Sequence, residues 1–177
     1  HGGILQLANQ MALTLKIMKI PFALFVPAGA KSKCAEDIVK EVFEYRLPKF
    51  ALPGERETKR LAAQIVEMNP NCLIAVDDAI KASAIISELS DKTNCAIIIH
   101  DVNPHPQKKT VYKELSERIR KHLARRSYKK AQSIILLSKN SYQLFNEQYK
   151  KLADKAMIFP LGAHVMPAIS TMPSELR

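Results

Sequence analysis

The sequence has no uncharged apolar run of the ~20 residues that a membrane-spanning helix needs. Its longest such stretch, 20–30, is interrupted by two prolines. The chain does not open with the basic, apolar and small-residue segments of a signal peptide. It has only three cysteines, Cys34, Cys72 and Cys95, and none of them forms a C-x-x-C pair. We therefore predict a reducing, cytoplasmic location, with neither a disulfide framework nor a structural zinc site.

Two nucleotide-binding patterns are also missing. There is no G-x-G-x-x-G fingerprint and no Walker A motif, which argues against dinucleotide and P-loop NTPase chemistry. The composition is 47% hydrophobic and 25% charged, values typical of a globular protein rather than a disordered one. The length of 177 residues suits one domain with a sizeable core.

The positive charge is concentrated in the second half of the chain. Residues 1–90 have 11 Lys/Arg against 10 Asp/Glu, whereas residues 91–177 have 16 against 7. Eight of those cations lie in 110–130, where they face only Glu114 and Glu117. This asymmetry indicates an anionic partner, namely nucleic acid, an acidic lipid surface or a phosphorylated substrate. The alternative is a solvated helix face that keeps the protein soluble.

Hydrophobic periodicity predicts alternating helices and strands. Helices are predicted at 4–18, 35–45, 55–68, 79–89, 110–131 and 139–151, and strands at 21–26, 49–52, 72–76, 95–100, 133–137 and 155–159. Continuous apolar strands separated by helices indicate a parallel sheet that is covered on both faces. The predicted fold class is α/β, with a Rossmann-like doubly wound sheet.

The predicted domain covers residues 1–166, and 167–177 has the composition of a linker. A doubly wound domain normally begins with a strand that leads into a glycine-containing turn. This sequence opens on the turn itself, His1-Gly2-Gly3. We therefore expect the first strand of the domain to be missing from it.

Four features are predicted at the edge where open α/β sheets bind ligands. They are Gly2-Gly3 before the first helix, His100-Asp101 with His105 after a strand, Ser138 before a helix, and Gly162 after the last strand. Bare glycine backbone at a helix N-terminus favours a phosphate. Imidazoles exchange protons or hydrogen-bond a hydroxyl near neutral pH.

Each of these features also has a structural interpretation. A glycine pair often makes only a turn, and Ser138 is well placed to cap the helix that follows it. Asp77-Asp78, after the strand CLIAV, is either a carboxylate site or an N-cap region, and capping is favoured. The histidines lack a third convincing metal ligand, so no metal is predicted.

The order of these motifs resembles a known family. The segments HGGILQLANQMALTL, IIIHDVNPHP, AQSIILLS and MIFPLGAHV are similar to the N-terminal, acceptor-side Rossmann-like domain of GT-B glycosyltransferases. They look like retaining glycosyltransferase family 4, and specifically like its bacterial polysaccharide-assembly members. The resemblance covers nearly the whole chain.

The resemblance implies a role for each motif. Gly2 and Gly3 would lie beside the donor diphosphate, and His100 would line the cleft next to the transferred sugar, with Asp101 and His105 behind it. Ser138 and Gly162 would border the same cleft. The donor substrate would be a nucleotide-sugar, and neither a cofactor nor a metal is expected.

The sequence departs from the family because the second, donor-binding Rossmann domain is not in it. The family's E-x7-E spacing occurs at Glu36 and Glu44, but in the wrong domain, and we interpret it as coincidence. The resemblance implies that these 177 residues are inactive alone.

The partners that follow from the resemblance are a nucleotide-sugar donor and a saccharide or lipid-linked acceptor. The basic segment 110–130 would hold the protein at the anionic inner face of the plasma membrane. The alternatives are a stand-alone subunit of a split glycosyltransferase and a basic nucleic-acid-binding module. The latter is disfavoured because the segment lacks interleaved aromatics and matches no helix-turn-helix, RRM or zinc pattern.

Overall fold

The computed structural model describes residues 2–48, 51–76, 79–99, 102 and 111–159. Its helices and strands, in chain order, are α1 (Gly2–Ile17), β1 (Leu24–Pro27), β2 (Val42–Tyr45), α2 (Arg56–Glu67), β3 (Cys72–Val76), α3 (Ala79–Leu89), β4 (Asn94–Ile99), α4 (Val111–Lys130), β5 (Ser133–Leu136), α5 (Lys139–Gln148) and β6 (Ala156–Ile158). Short 3-10 helices span Lys31–Lys33, Glu36–Glu41 and Lys150–Lys155.

All strand pairs among these residues are parallel. Strands β1 and β2 form a two-stranded sheet in which Leu24 lies opposite Val42. The other four strands form a second sheet in the order β3-β4-β5-β6, with Leu73 opposite Cys95. The chain is therefore an α/β protein with parallel sheets and helices around them, as predicted, and this arrangement is consistent with a Rossmann-like fold.

The larger hydrophobic core lies between the four-stranded sheet and helices α2 to α5. Its fully buried side chains include Ile86 of α3, Ile97 of β4 and Phe145 of α5. The Phe145 ring lies beside two tyrosine rings, with centroids 5.6 Å from Tyr128 and 4.9 Å from Tyr149. This aromatic cluster holds α4 and α5 together against the sheet.

A smaller core lies on one face of the two-stranded sheet. Ala12 of α1 and Ile38 of the second 3-10 helix pack there with Val26 and Val42. The opposite face of this sheet turns Phe25 toward the larger core. The two-stranded sheet is thus covered on both faces.

One predicted helix is wrong. The segment 35–45 forms the 3-10 helix Glu36–Glu41 followed by strand β2, Val42–Tyr45. β-branched and aromatic residues such as Val42 and Phe43 favour a strand, and pairing with β1 supplies the hydrogen bonds that a local pattern cannot reveal. Of the predicted strand 49–52, Ala51 and Leu52 lie outside any strand, and residues 49 and 50 are outside the described part of the chain.

Helix α4 buries a different stripe from the one the sequence indicated. Val111, Leu115, Ile119 and Leu123 recur at i, i+4 spacing, which predicts an apolar stripe packed on the sheet, yet the Ile119 side chain is 44% exposed. The buried residues of the described part of the helix are small or aromatic, namely Ala124, Ser127 and Tyr128. Small residues let α4 pack closely against α3. Ile119 then lies on the outer surface, between the exposed Arg118 and Arg120.

Lysine side chains donate hydrogen bonds to carbonyl groups at the C-terminal ends of α4 and α3. The Lys155 ammonium donates to the carbonyl oxygens of Lys129 and Ala131, at 2.8 and 2.9 Å. Lys130 donates to the carbonyl of Ser87 on α3, at 3.2 Å. The last carbonyls of a helix have no partner within the helix. A cation near them also interacts favourably with the negative end of the helix dipole.

Within the residues that the structure describes, no helix combines the length and the apolar character that crossing a membrane requires.

Candidate functional site

The candidate site is the edge at which the parallel strands end, here called the carboxyl edge. Because each helix returns the chain between parallel strands, helix N-termini gather at this edge, where open α/β sheets bind ligands. The first turns of α1, α3 and α5 contain no acidic residue. The N–H groups of a first turn have no partner within the helix, and the positive end of the dipole lies there, so these termini favour a negatively charged or hydrogen-bond-accepting group.

Gly2 and Gly3 occupy the first turn of α1, which corrects the expectation that they form a turn before a helix at residue 4. The first four N–H groups of a helix have no partner inside the helix, so glycines at these positions leave its internal hydrogen bonds almost unchanged. Gly3 is exposed, and its backbone is open to a ligand. The predicted contact with a diphosphate stays a prediction.

Ser138 is the N-cap of α5, as its structural interpretation predicted. Its Oγ accepts a hydrogen bond from the Ser141 N–H at 3.0 Å and donates to the Ser141 hydroxyl at 2.9 Å. The residue is extended, with φ −151° and ψ 159°, which is the usual backbone for an N-cap. Ser138 is also exposed, at the end of β5.

We expect Ser138→Ala to lower the free energy of unfolding by about 1 kcal/mol, because the Ser141 N–H loses its acceptor. Urea denaturation of the purified chain measures this loss. Ser138→Asp, which keeps an acceptor for the same N–H, is the matched control and should retain most of the stability. Equal losses in the two variants would mean that the hydroxyl does not act as a cap.

The loop after β1 is held by a carboxylate that sequence reasoning missed. The Glu44 Oε1 accepts hydrogen bonds from the backbone N–H groups of Gly29, at 2.8 Å, and Lys31, at 3.1 Å. Gly29 has φ +82°, a left-handed conformation that glycine adopts without strain. Pro27-Ala28-Gly29 has the composition of a turn, but its contact with Glu44 on β2 forms only because β1 and β2 pair.

Cationic side chains follow three strands at the carboxyl edge. Lys31 comes after β1, Arg46 directly after β2, and Lys139 just after β5. Arg46 and Lys139 are exposed. These cations and the helix N-termini attract an anion, whereas the Glu44 carboxylate and, in the sequence, Asp77, Asp78 and Asp101 after β3 and β4 bring negative charge to the same edge.

None of the three cysteines has the environment of a nucleophile. Burial raises the pKa of the Cys34 thiol, and burial together with the nearby Cys72 raises that of Cys95 to about 11. Cys72 is exposed, but it opens β3 at the opposite edge of the sheet, and burial raises its pKa as well. These thiols stay protonated at neutral pH, whereas a reactive cysteine needs a lowered pKa.

A shallow polar cleft of about 420 Å³ lies at the opposite, amino edge of the four-stranded sheet. Its lining includes Asn71 before β3, Lys92 before β4 and Gln132 before β5. Ligands of open α/β sheets bind at the carboxyl ends of the strands. We therefore do not assign the candidate site to this cleft.

Several predicted site residues, namely Asp77, Asp78, His100, Asp101, His105 and Gly162, lie outside the described residues. Their assignments stay predictions. Over 2–48, 51–76, 79–99, 102 and 111–159, no group of three or more His, Cys, Asp or Glu side chains is arranged to hold a metal.

No protein-family model matches this chain, and no curated protein matches it.

Proposed function

We propose that this chain is the acceptor-binding half of a retaining glycosyltransferase that acts in cell-surface polysaccharide biosynthesis. The complete enzyme would move a sugar from a nucleotide-sugar to a saccharide or lipid-linked acceptor. The observation that carries the proposal is the N-terminus of α1, where Gly2 and Gly3 begin a helix with no acidic residue in its first turn. The resemblance of the motif order to glycosyltransferase family 4 gives that anion-binding position a specific ligand, the donor diphosphate.

The proposed mechanism separates an oxocarbenium-like sugar from a departing nucleoside diphosphate. Backbone N–H groups of Gly2 and Gly3 stabilise the negative charge that develops on the diphosphate, and they do so without reorganising during the reaction. His100 orients a hydroxyl of the transferred sugar, with Asp101 and His105 behind it. The departing phosphate oxygen accepts the proton of the acceptor hydroxyl, so the new glycosidic bond forms on the face that the nucleotide leaves.

The test of this proposal starts from the intact mass of the native polypeptide, measured in extracts of its source. A mass near twice 19.9 kDa fits a two-domain enzyme, whereas a mass near 19.9 kDa favours a subunit of a split transferase. Transfer from a panel of radiolabelled uridine, guanosine and adenosine diphosphate sugars to membrane extracts then tests activity. We expect transfer by the native protein and none by the isolated 177 residues.

We expect His100→Ala in the complete enzyme to lower kcat by about 100-fold, because a misplaced sugar hydroxyl spoils the attack geometry. His105 is placed behind His100, so His105→Ala is the matched control and should lower kcat less. Initial rates at saturating donor measure both variants. A kcat within a few-fold of the wild type for His100→Ala would remove this residue from the reaction.

The proposed partner of α4 is an anionic lipid surface, where a lipid-linked acceptor would be found. Arg118, Arg126 and Lys129 are exposed, and at 100° per residue they lie on the side opposite the centre of the buried face, which Ala124, Ser127 and Tyr128 form. Ile119, 44% exposed, lies beside them. Clustered cations around an exposed apolar side chain suit a peripheral membrane contact.

A further inference from the structure

The C-terminal end of α1 exposes several large apolar side chains next to one another. Residues 16–20, here called the apolar tip, have the sequence KIMKI. Ile17 is 81% exposed, Met18 62% and Ile20 43%, and Ile17 is more exposed than any other large apolar side chain among the described residues. The two lysines of the tip are exposed as well. Single exposed apolar residues are common, whereas a cluster rimmed by polar groups marks an interaction surface.

The backbone of the apolar tip is fixed without these side chains. The Ile20 N–H donates to the Leu15 carbonyl oxygen at 2.9 Å, and the Lys19 N–H donates to the Lys16 carbonyl oxygen at 3.0 Å. Lys19 has φ +56°. These two bonds and the left-handed residue form the Schellman motif that ends many helices. The two most exposed side chains of the tip are therefore not needed to end the helix.

The surroundings of the apolar tip are positively charged. Residues 14–41 include the tip and the two 3-10 helices that lie beside α1, and they contain five lysines against three acidic residues. The Lys16 ammonium donates to the carbonyl oxygen of Asp37, so one acidic residue lies close to the tip. Positive charge still prevails, which favours an anionic partner.

The exposure of Ile17 also indicates which kind of partner fits. A side chain that is 81% exposed projects from the surface, so its partner must be either concave or fluid. A symmetric contact between two copies of the chain would bring the lysines of both tips together, and like charges repel. A lipid bilayer needs no preformed pocket. Apolar side chains enter its interface while lysine ammonium groups stay among the headgroups.

We propose that the apolar tip inserts Ile17 and Met18 into the interface of an anionic lipid bilayer. Lys16 and Lys19 lie beside them and contact the negatively charged headgroups. The tip directly precedes β1, so it lies away from the carboxyl edge and leaves that edge free. This apolar contact is separate from the electrostatic contact proposed for α4, and it does not depend on sugar transfer.

Single tryptophans test the insertion. The chain contains no tryptophan, so the indole introduced by Ile17→Trp is the only one in the protein. Vesicles of phosphatidylglycerol and phosphatidylcholine with brominated acyl chains quench an indole that enters the interface. We expect the emission of Ile17→Trp to fall at least about twofold on these vesicles, because interfacial side chains reach the acyl boundary. Phosphatidylcholine alone should quench much less, since it offers the lysines no net negative charge.

The matched control for insertion is Phe159→Trp. Phe159 follows β6 and is 65% exposed, so its indole is equally accessible but lies outside the apolar tip. Its emission should change little on either kind of vesicle. Ile119→Trp reports separately on the contact proposed for α4.

Two further variants separate the charge of the tip from its apolar side chains. Lys19→Gly removes a cation from a position with φ +56°, which glycine adopts without strain, so the turn is retained. We expect it to weaken sedimentation with anionic vesicles by about fivefold. The double variant Ile17→Ser, Met18→Ser keeps the charge and should weaken it by about tenfold or more. Lys59→Gln, which removes one exposed cation from α2, is the control and should have little effect.

The quenching pattern decides between partners. Quenching of Ile119→Trp without quenching of Ile17→Trp would mean that α4 alone contacts the bilayer. Equal quenching of Ile17→Trp and Phe159→Trp would mean that the protein unfolds on the lipid. An Ile17→Trp emission that shifts with protein concentration in the absence of vesicles would identify a second copy as the partner. Each of these results, or no quenching of Ile17→Trp, would overturn the proposal, and none of them measures sugar transfer.

Discussion

Replacing Phe145 with alanine is expected to lower the free energy of unfolding by about 3–5 kcal/mol. The side chain is fully buried, and its ring lies against Tyr149, with centroids 4.9 Å apart, and Tyr128, 5.6 Å apart. The substitution removes the buried apolar area of the phenylalanine ring and leaves a cavity where α4, α5 and the sheet meet. Because the core is closely packed, its side chains fill this cavity only partly. Urea denaturation followed by far-UV circular dichroism measures the loss.

A second phenylalanine provides the matched control. Phe159 follows β6 and is 65% exposed, so Phe159→Ala removes the same atoms from a site that is already solvated. Its effect should stay below about 1 kcal/mol, since little apolar area returns to water. Similar losses for the two variants would show that Phe145 is not the centre of the larger core.

Neutralising three cations of α4 is expected to weaken binding to anionic vesicles by about 100-fold. The triple variant replaces Arg118, Arg126 and Lys129 by glutamine, which keeps helix propensity nearly constant. Each cation near an anionic surface is worth about 1 kcal/mol, and the three effects act together on one partition coefficient. Sedimentation with vesicles of phosphatidylglycerol and phosphatidylcholine measures that coefficient.

The control variant removes the same charge elsewhere. Arg56, Lys59 and Arg60 are exposed on α2, and their replacement by glutamine should leave vesicle binding within a few-fold of the wild type. Equal weakening by both variants would mean that net charge, rather than α4, attracts the membrane. Failure of the wild type to sediment with anionic vesicles would remove the membrane as a partner, and retention on a DNA or RNA column would then favour nucleic acid.

Elements with strong local boundaries were predictable from the sequence. Strand β3 and helix α3 occur at the predicted residues, Cys72–Val76 and Ala79–Leu89, because the segment before the strand contains Pro70 and the strand itself is a continuous apolar run. The segment 35–45 was not predictable in this way. Its strand β2 exists through pairing with β1, eighteen residues earlier in register, and a local periodicity does not contain that contact.

The candidate site shows the same difference between local contacts, which the sequence predicts, and contacts between distant segments, which it does not. Capping by Ser138 depends on a residue three positions away, and the sequence suffices to predict it. The contact of Glu44 with the loop at Gly29 needs β1 and β2 to be paired first. The buried side of α4 was misplaced for a related reason, because contact with α3 selects small residues such as Ala124 and Ser127 over the larger apolar side chains that periodicity emphasises.

The lysine that completes α4 has a consequence for synthesis on the ribosome. The carbonyl oxygens of Lys129 and Ala131 receive their hydrogen bonds from Lys155, which is translated 24 to 26 residues later. At a translation rate of about 5–20 residues per second, Lys155 is synthesised roughly one to five seconds after the end of the helix. Until the β6 segment docks, these two carbonyl groups of the nascent helix have only water as a hydrogen-bond partner.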